Sequence, residues 1–120
     1  MRAYGQSKLA EVLFTDELAR GVAGSGVTAN ALHPGFVATN FAKNYGIIVG
    51  VMRTLARLVA ISPEEGTGTS IYLASSPEVE GVTGKFFEKC REVRSSPASY
   101  DGDAAGRLCE ISAKMTVLTV

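Results

Sequence analysis

Leu9, Val12 and Leu13 fall on one side of a 3.6-residue repeat, with Ala10, Phe14 and Leu18 beside them and Glu11, Asp16 and Arg20 facing away. That spacing predicts a helix over 3–20. Its apolar arc is wide, which suits a helix packed on more than one neighbour. Gly21, Gly24, Ser25 and Gly26 then punctuate the chain and end the helix. Residues 27–32 (VTANAL) follow as a short strand, stopped by His33-Pro34-Gly35. A loop over 36–46 carries Phe41 and Tyr45 and leads into an amphipathic helix over 47–61, with Arg53 and Arg57 on one polar stripe. Ser62-Pro63-Glu64-Glu65 reads as a helix start, with a capping serine, a proline in the first turn and acids near the positive end of the dipole. This helix runs to Ser75 and Ser76-Pro77 ends it. Gly81 and Gly84 flank a turn before a second short strand, Lys85-Phe86-Phe87-Glu88. A polar stretch over 91–99 precedes a last helix over 101–115, weakened by Gly106. The tail over 115–120 is apolar and β-prone.

Helix, glycine turn, strand and Pro-Gly loop in that order suggest one repeat of an α/β sheet. The whole chain reads as about four helices and two strands, whereas a doubly wound sheet needs about five strands or more. Parallel strands want both faces covered and both neighbours present, so one edge is expected to stand unpaired. The 120 residues therefore read as part of one domain rather than a whole one.

Composition narrows the function classes. The chain is 46% hydrophobic and 20% charged, and twelve Lys and Arg balance twelve Asp and Glu. That balance points away from nucleic acid and anionic membranes as partners. The apolar run over 47–61 is 15 residues long and holds two arginines; a membrane span needs about 20 apolar residues, so it is not expected to span. The two cysteines, Cys90 and Cys109, lie far apart in sequence and near no histidine, and His33 is the one histidine. No metal site is expected. The cysteines read as buried inert thiols or as a disulfide. With no secretory leader ahead of Tyr4, the expected compartment is the cytoplasm.

The chemistry-bearing stretch is Tyr4-Gly5-Gln6-Ser7-Lys8. On a helix, residues four apart share a face one turn from each other. A phenol with an ordinary pKa of about 10 is a poor base near neutral pH. A lysine ammonium held close favours the phenolate. Tyr-x-x-x-Lys is thus a sensible proton donor to a carbonyl or acceptor from an alcohol. Taken alone, the spacing does not separate a site from a chance pair.

The stretch resembles the active-site helix of the short-chain dehydrogenase/reductase family, and the likeness continues along the chain. Asn30-Ala-Leu-His-Pro-Gly-Phe-Val-Ala-Thr39 is similar to the family's Asn-x-x-x-Pro-Gly loop and the threonine after it. Residues 62–74 and Gly84-Lys-Phe-Phe87 resemble its next helix and last strand, and residues 92–101 resemble the C-terminal end of retinol dehydrogenase-like members. The resemblance implies the C-terminal half of a Rossmann-type, doubly wound parallel sheet domain spanning 1–120. It implies Tyr4 as acid–base and Lys8 as the residue that lowers the tyrosine pKa and hydrogen-bonds the nicotinamide ribose. Pro34, Gly35, Phe36, Val37 and Thr39 fall where the family holds the nicotinamide, at the carboxyl edge of the sheet. Without the tyrosine helix, Pro34-Gly35 would read as a plain strand-ending turn. His33 is expected to cap the strand end. Phe41, Tyr45, Ile47 and Ile48 fall in the region of the substrate lid; their apolar character fits a lipophilic alcohol or carbonyl, and ordinary core packing explains them nearly as well.

The family's Gly-x-x-x-Gly-x-Gly turn, which sets a pyrophosphate on a helix N-terminus, occurs nowhere in this sequence. Only three residues precede Tyr4, so the serine that the family places about a dozen residues earlier is also outside it. The expectation is a fragment of an NAD(P)-dependent oxidoreductase, leaning to NADP, that is inactive by itself. The alternative is a non-catalytic truncated subunit that pairs with a full-length relative. In either case the helix over 4–20 is the expected surface for a homo-oligomer.

Overall fold

The computed structural model describes residues 2–35 and 63–116. The expected amphipathic helix over 47–61 lies outside the described residues, as do residues 117–120 of the tail expected over 115–120, whose first two residues, Met115 and Thr116, are helical. Within them the chain forms three α-helices and a three-stranded sheet: α1 (Arg2–Gly21), β1 (Ala31–His33), α2 (Pro63–Ser75), β2 (Phe86–Glu88), β3 (Arg91–Glu92) and α3 (Gly102–Thr116). Short 3-10 turns at Pro77–Val79 and Pro97–Tyr100 lead into β2 and α3.

α1 matches the helix that the apolar spacing predicts, and it ends where the glycines begin. Gly24 and Gly26 take φ values of +79° and +81°, a left-handed backbone that glycine enters without steric cost. Leu13 and Ala19 are its buried residues. Along the same side runs α3, whose Ala105 is only 1% exposed. Asp101 starts α3: its Oδ1 accepts from the Ala104 N–H at 2.9 Å, satisfying one of the donors a helix start leaves open.

The sheet order is β1-β2-β3. β1 and β2 run parallel, with Ala31 beside Phe86, Leu32 beside Phe87 and His33 beside Glu88. Phe87, 3% exposed, is the largest buried apolar side chain among the described residues, and the Tyr72 ring of α2 lies over it at 6.4 Å between centroids. The pair is fastened at its entrance by Asn30. Its Nδ2 donates to the Val82 carbonyl at 2.7 Å and its Oδ1 accepts from the Lys85 N–H at 3.0 Å. Beside it the Gly84 N–H donates to the Ala29 carbonyl at 2.8 Å, and the Thr83 hydroxyl accepts from the Ala29 N–H at 3.0 Å.

Two expectations change. The strand expected over 27–32 is shorter, at Ala31–His33. Ala29 and Asn30 hydrogen-bond the turn over 82–85 rather than a ladder, and Val27 is 59% exposed with no sheet to cover it. The sheet also has a third strand. β3 returns antiparallel to β2, with Glu92 beside Phe87 and Arg91 beside Glu88. Lys89 and Cys90 make the two-residue turn between them, at φ +50° and +59°. Left-handed values at both positions are what joins two twisted antiparallel strands tightly. The Cys90 N–H donates to the buried Thr69 hydroxyl at 3.2 Å, tying this turn to α2.

Both cysteines are free and half-buried. Burial pushes the Cys109 thiol above its ordinary pKa, and the negative Glu17 across the α1–α3 contact adds to the rise, partly opposed by Arg20. Two outcomes follow from this packing. Asn30→Ala removes two hydrogen bonds to backbone and lowers unfolding stability by about 2 kcal/mol in a urea titration. Cys109 holds less thiolate at neutral pH than a free small thiol, and reacts with iodoacetamide more slowly, read by mass spectrometry.

Candidate active site

The first turns of α1 bring together the two residues singled out by spacing. Tyr4 and Lys8 stand one turn apart on an exposed face, with Tyr4 55% exposed. The Lys8 Nζ lies 5.8 Å from the centroid of the Tyr4 ring, within the range over which a cation is attracted to an aromatic face. Ser7, the small residue between them, donates its hydroxyl to the Tyr4 carbonyl at 2.8 Å.

Lys8 has a second partner. Its Nζ donates to both carboxylate oxygens of Glu11, each at 2.9 Å. That hydrogen bond is the main reason the Lys8 ammonium is held above the ordinary lysine pKa. The Glu11 and Tyr4 charges add to it, while desolvation opposes it. Lys8 is accordingly protonated throughout the neutral range, as a charge partner for a phenol must be.

β1 places Pro34 and Gly35 at its carboxyl end. Gly35 takes φ +84°, a value open to glycine and costly for a residue with a Cβ, and its N–H donates to the His33 Nδ1 at 3.0 Å. His33 thus caps the strand end, as the sequence predicts. Tyr4 and Lys8 are positioned by α1, and Pro34 and Gly35 separately by β1 and His33. Phe36, Val37, Thr39, Phe41, Tyr45, Ile47 and Ile48 lie outside the described residues.

Two residues of consequence escaped the sequence reading. Glu11 reads there as an outward-facing acid, although an acid three residues after a lysine on one helix face is the signal for an ion pair. Asn30 reads as the first letter of a motif, and its work as a latch on the turn over 82–85 shows only in three dimensions.

Among the described residues no group of three or more His, Cys, Asp or Glu could hold a metal ion, and no helix is long and apolar enough to cross a membrane.

No protein-family model matches the chain. Individual relatives do. Retinol dehydrogenase 14 of Homo sapiens is 47% identical over 119 residues, which are 96% of this chain and 35% of that protein. Retinol dehydrogenase 13 of Mus musculus is 42% identical over 123 residues, 98% of this chain and 37% of its own length. The chloroplastic short-chain dehydrogenase TIC 32 B of Brassica napus is 34% identical over 116 residues, 95% of this chain and 36% of its own. The chain spans little more than a third of the length of each of these three relatives. With an α/β architecture, a Tyr-x-x-x-Lys pair in contact on its first helix and relatives alike over nearly all of its residues, the chain belongs to the short-chain dehydrogenase/reductase family as a retinol dehydrogenase-like member.

Proposed function

We propose that these 120 residues carry the acid–base part of an NAD(P)-dependent oxidoreductase that interconverts a lipophilic alcohol, of the retinol kind, and its carbonyl. The observation that supports this most is the contact between Tyr4 and Lys8 on the exposed start of α1. The phenol hydroxyl gives a proton to a carbonyl oxygen or takes one from an alcohol. Lys8 keeps a positive charge beside it and favours the charged form of a phenol. A nicotinamide, when bound, supplies or accepts the hydride.

The described residues fit such a cofactor in part. Lys8 offers an exposed ammonium with three donors, suited to ribose hydroxyls, and Gly35 offers backbone without a side chain at the end of β1. In this reading Tyr4 and Lys8 hold the ribose, and Pro34, Gly35, Phe36, Val37 and Thr39 hold the nicotinamide. The preference leans to NADP. Phe41, Tyr45, Ile47 and Ile48 form the apolar lid over the substrate. The chain contains no Gly-rich pyrophosphate turn, so the isolated 120 residues do not turn over substrate.

A second reading rests on the apolar side chains exposed further along α1, where Phe14 and Leu18 are 47% and 40% exposed. In that reading the chain is a non-catalytic subunit that pairs through α1 with a second copy or a full-length relative. Co-purification with such a relative at a fixed ratio supports it, and a monodisperse monomer in its presence rejects it.

The catalytic reading is tested with a chimera that joins the upstream part of human retinol dehydrogenase 14 to this chain. The chimera oxidises retinol with NADP or NAD, and Tyr4→Phe lowers kcat by about 100-fold or more. The isolated chain shows no turnover. A Tyr4→Phe chimera within a few-fold of its parent overturns the role given to Tyr4.

A further inference from the structure

The lysine of the Tyr-x-x-x-Lys pair is not held by the tyrosine alone. Its ammonium sits on Glu11, one turn further along α1, with both carboxylate oxygens at 2.9 Å, while the Tyr4 ring centroid is 5.8 Å away. A lysine carries four flexible side-chain bonds and three donors, so the ring's attraction is by itself a weak reason for an exposed one to stay there. The neighbouring helix gives it none. Where α3 faces this part of α1, a shallow groove is lined by Ser7, Ala10, Glu11 and Phe14 from one side and by Leu108 and Ser112 from the other. Neither α3 residue ionises. Among the described residues, the charged or titratable groups that act on Lys8 are Glu11 and Tyr4, both on its own helix.

We propose that Glu11 is the positioning residue of the Tyr4–Lys8 pair: its carboxylate clamps the Lys8 ammonium on the face of α1 that carries the phenol. The proposal rests on the reading of Tyr4 and Lys8 as the acid–base pair. Two consequences follow from the geometry. Among the described residues, the clamp acts on the ammonium from α1 itself. It also engages Nζ through two hydrogen bonds and leaves N–H capacity for a further acceptor. Glu11 is thereby a determinant of how the pair meets a cofactor, although it touches neither cofactor nor substrate.

The test uses the full 120-residue chain and needs no cofactor. Amine reactivity is measured by competitive acetylation with limiting acetic anhydride across a pH series, with Lys89 as the internal reference and mass spectrometry as the readout. Only the uncharged amine reacts, so a clamped ammonium reacts slowly. Glu11→Gln speeds acetylation of Lys8 at neutral pH by roughly two- to fivefold, the size an exposed ion pair supports, and moves its pH profile down. Glu17→Gln, which removes the partner of Arg20 on the same helix, leaves Lys8 unchanged. As a second readout, the nuclear Overhauser contact between the Tyr4 ring and the Lys8 side chain weakens in Glu11→Gln and persists in Glu17→Gln. A Lys8 pH profile that is the same in parent and Glu11→Gln overturns the proposal, as does an undiminished ring contact. Because no turnover is read, either failure leaves the catalytic reading of Tyr4 standing. Conversely, failure of the chimera leaves the clamp standing.

Discussion

The parallel pairing of β1 with β2 is the constraint on which the described structure depends, because it joins segments that lie 55 residues apart. Closing so long a loop costs chain entropy before any contact repays it. Two strands of three residues each offer few ladder bonds in return. The entrance to the pair carries the difference. Asn30 acts there as a piece of backbone would, donating to Val82 and accepting from Lys85, and Ala29 makes reciprocal bonds with Gly84 and Thr83. Phe87, buried between the sheet and Tyr72 of α2, adds the apolar term, worth about 2 to 3 kcal/mol for a side chain of that size.

The same entrance fixes α1. A Cβ built on Gly84 would lie 3.5 Å from that of Ala19, an ordinary contact, so the end of α1 rests on the turn that Asn30 holds. The φ of +68° at Gly84, rather than lack of room, is what asks for glycine there. Ala19 is anchored in this way and Leu13 and Ala105 are buried in the α1–α3 packing, while Tyr4 stands about 22 Å further along the helix, in solvent. Structural work and candidate chemistry thus occupy opposite ends of one helix. The chemical end is organised locally, by Ser7 on the Tyr4 carbonyl and Glu11 on Lys8.

How much of this could be read from sequence depended on whether the signal was local. α1 and α3 were legible because their apolar spacing and their stops are written within each segment, and so was the strand at Phe86–Glu88 after its glycine turn. The Tyr4–Lys8 pair was legible for the same reason. β3 was not. It is two polar residues long, and its turn uses Lys89 and Cys90 where glycine or asparagine would have announced a hairpin. The length of β1 was misread because Val27 and Thr28 are β-branched and strand-like while the turn over 82–85 takes the hydrogen bonds of Ala29 and Asn30. No property of either segment alone reports that competition.

Family membership and fold leave the activity of this chain to be shown by its own residues. A phenol and an ammonium in contact do nothing unless the helix that presents them is held against a sheet. The claim that the Asn30 entrance does this is read most directly by amide hydrogen exchange on the 120-residue chain. The account predicts that the amides of Ala31, Gly84 and Lys85, each bonded across the entrance, exchange far more slowly than those of residues 3–8 at the exposed start of α1. Exchange of those three amides as fast as at the start of α1 would contradict it.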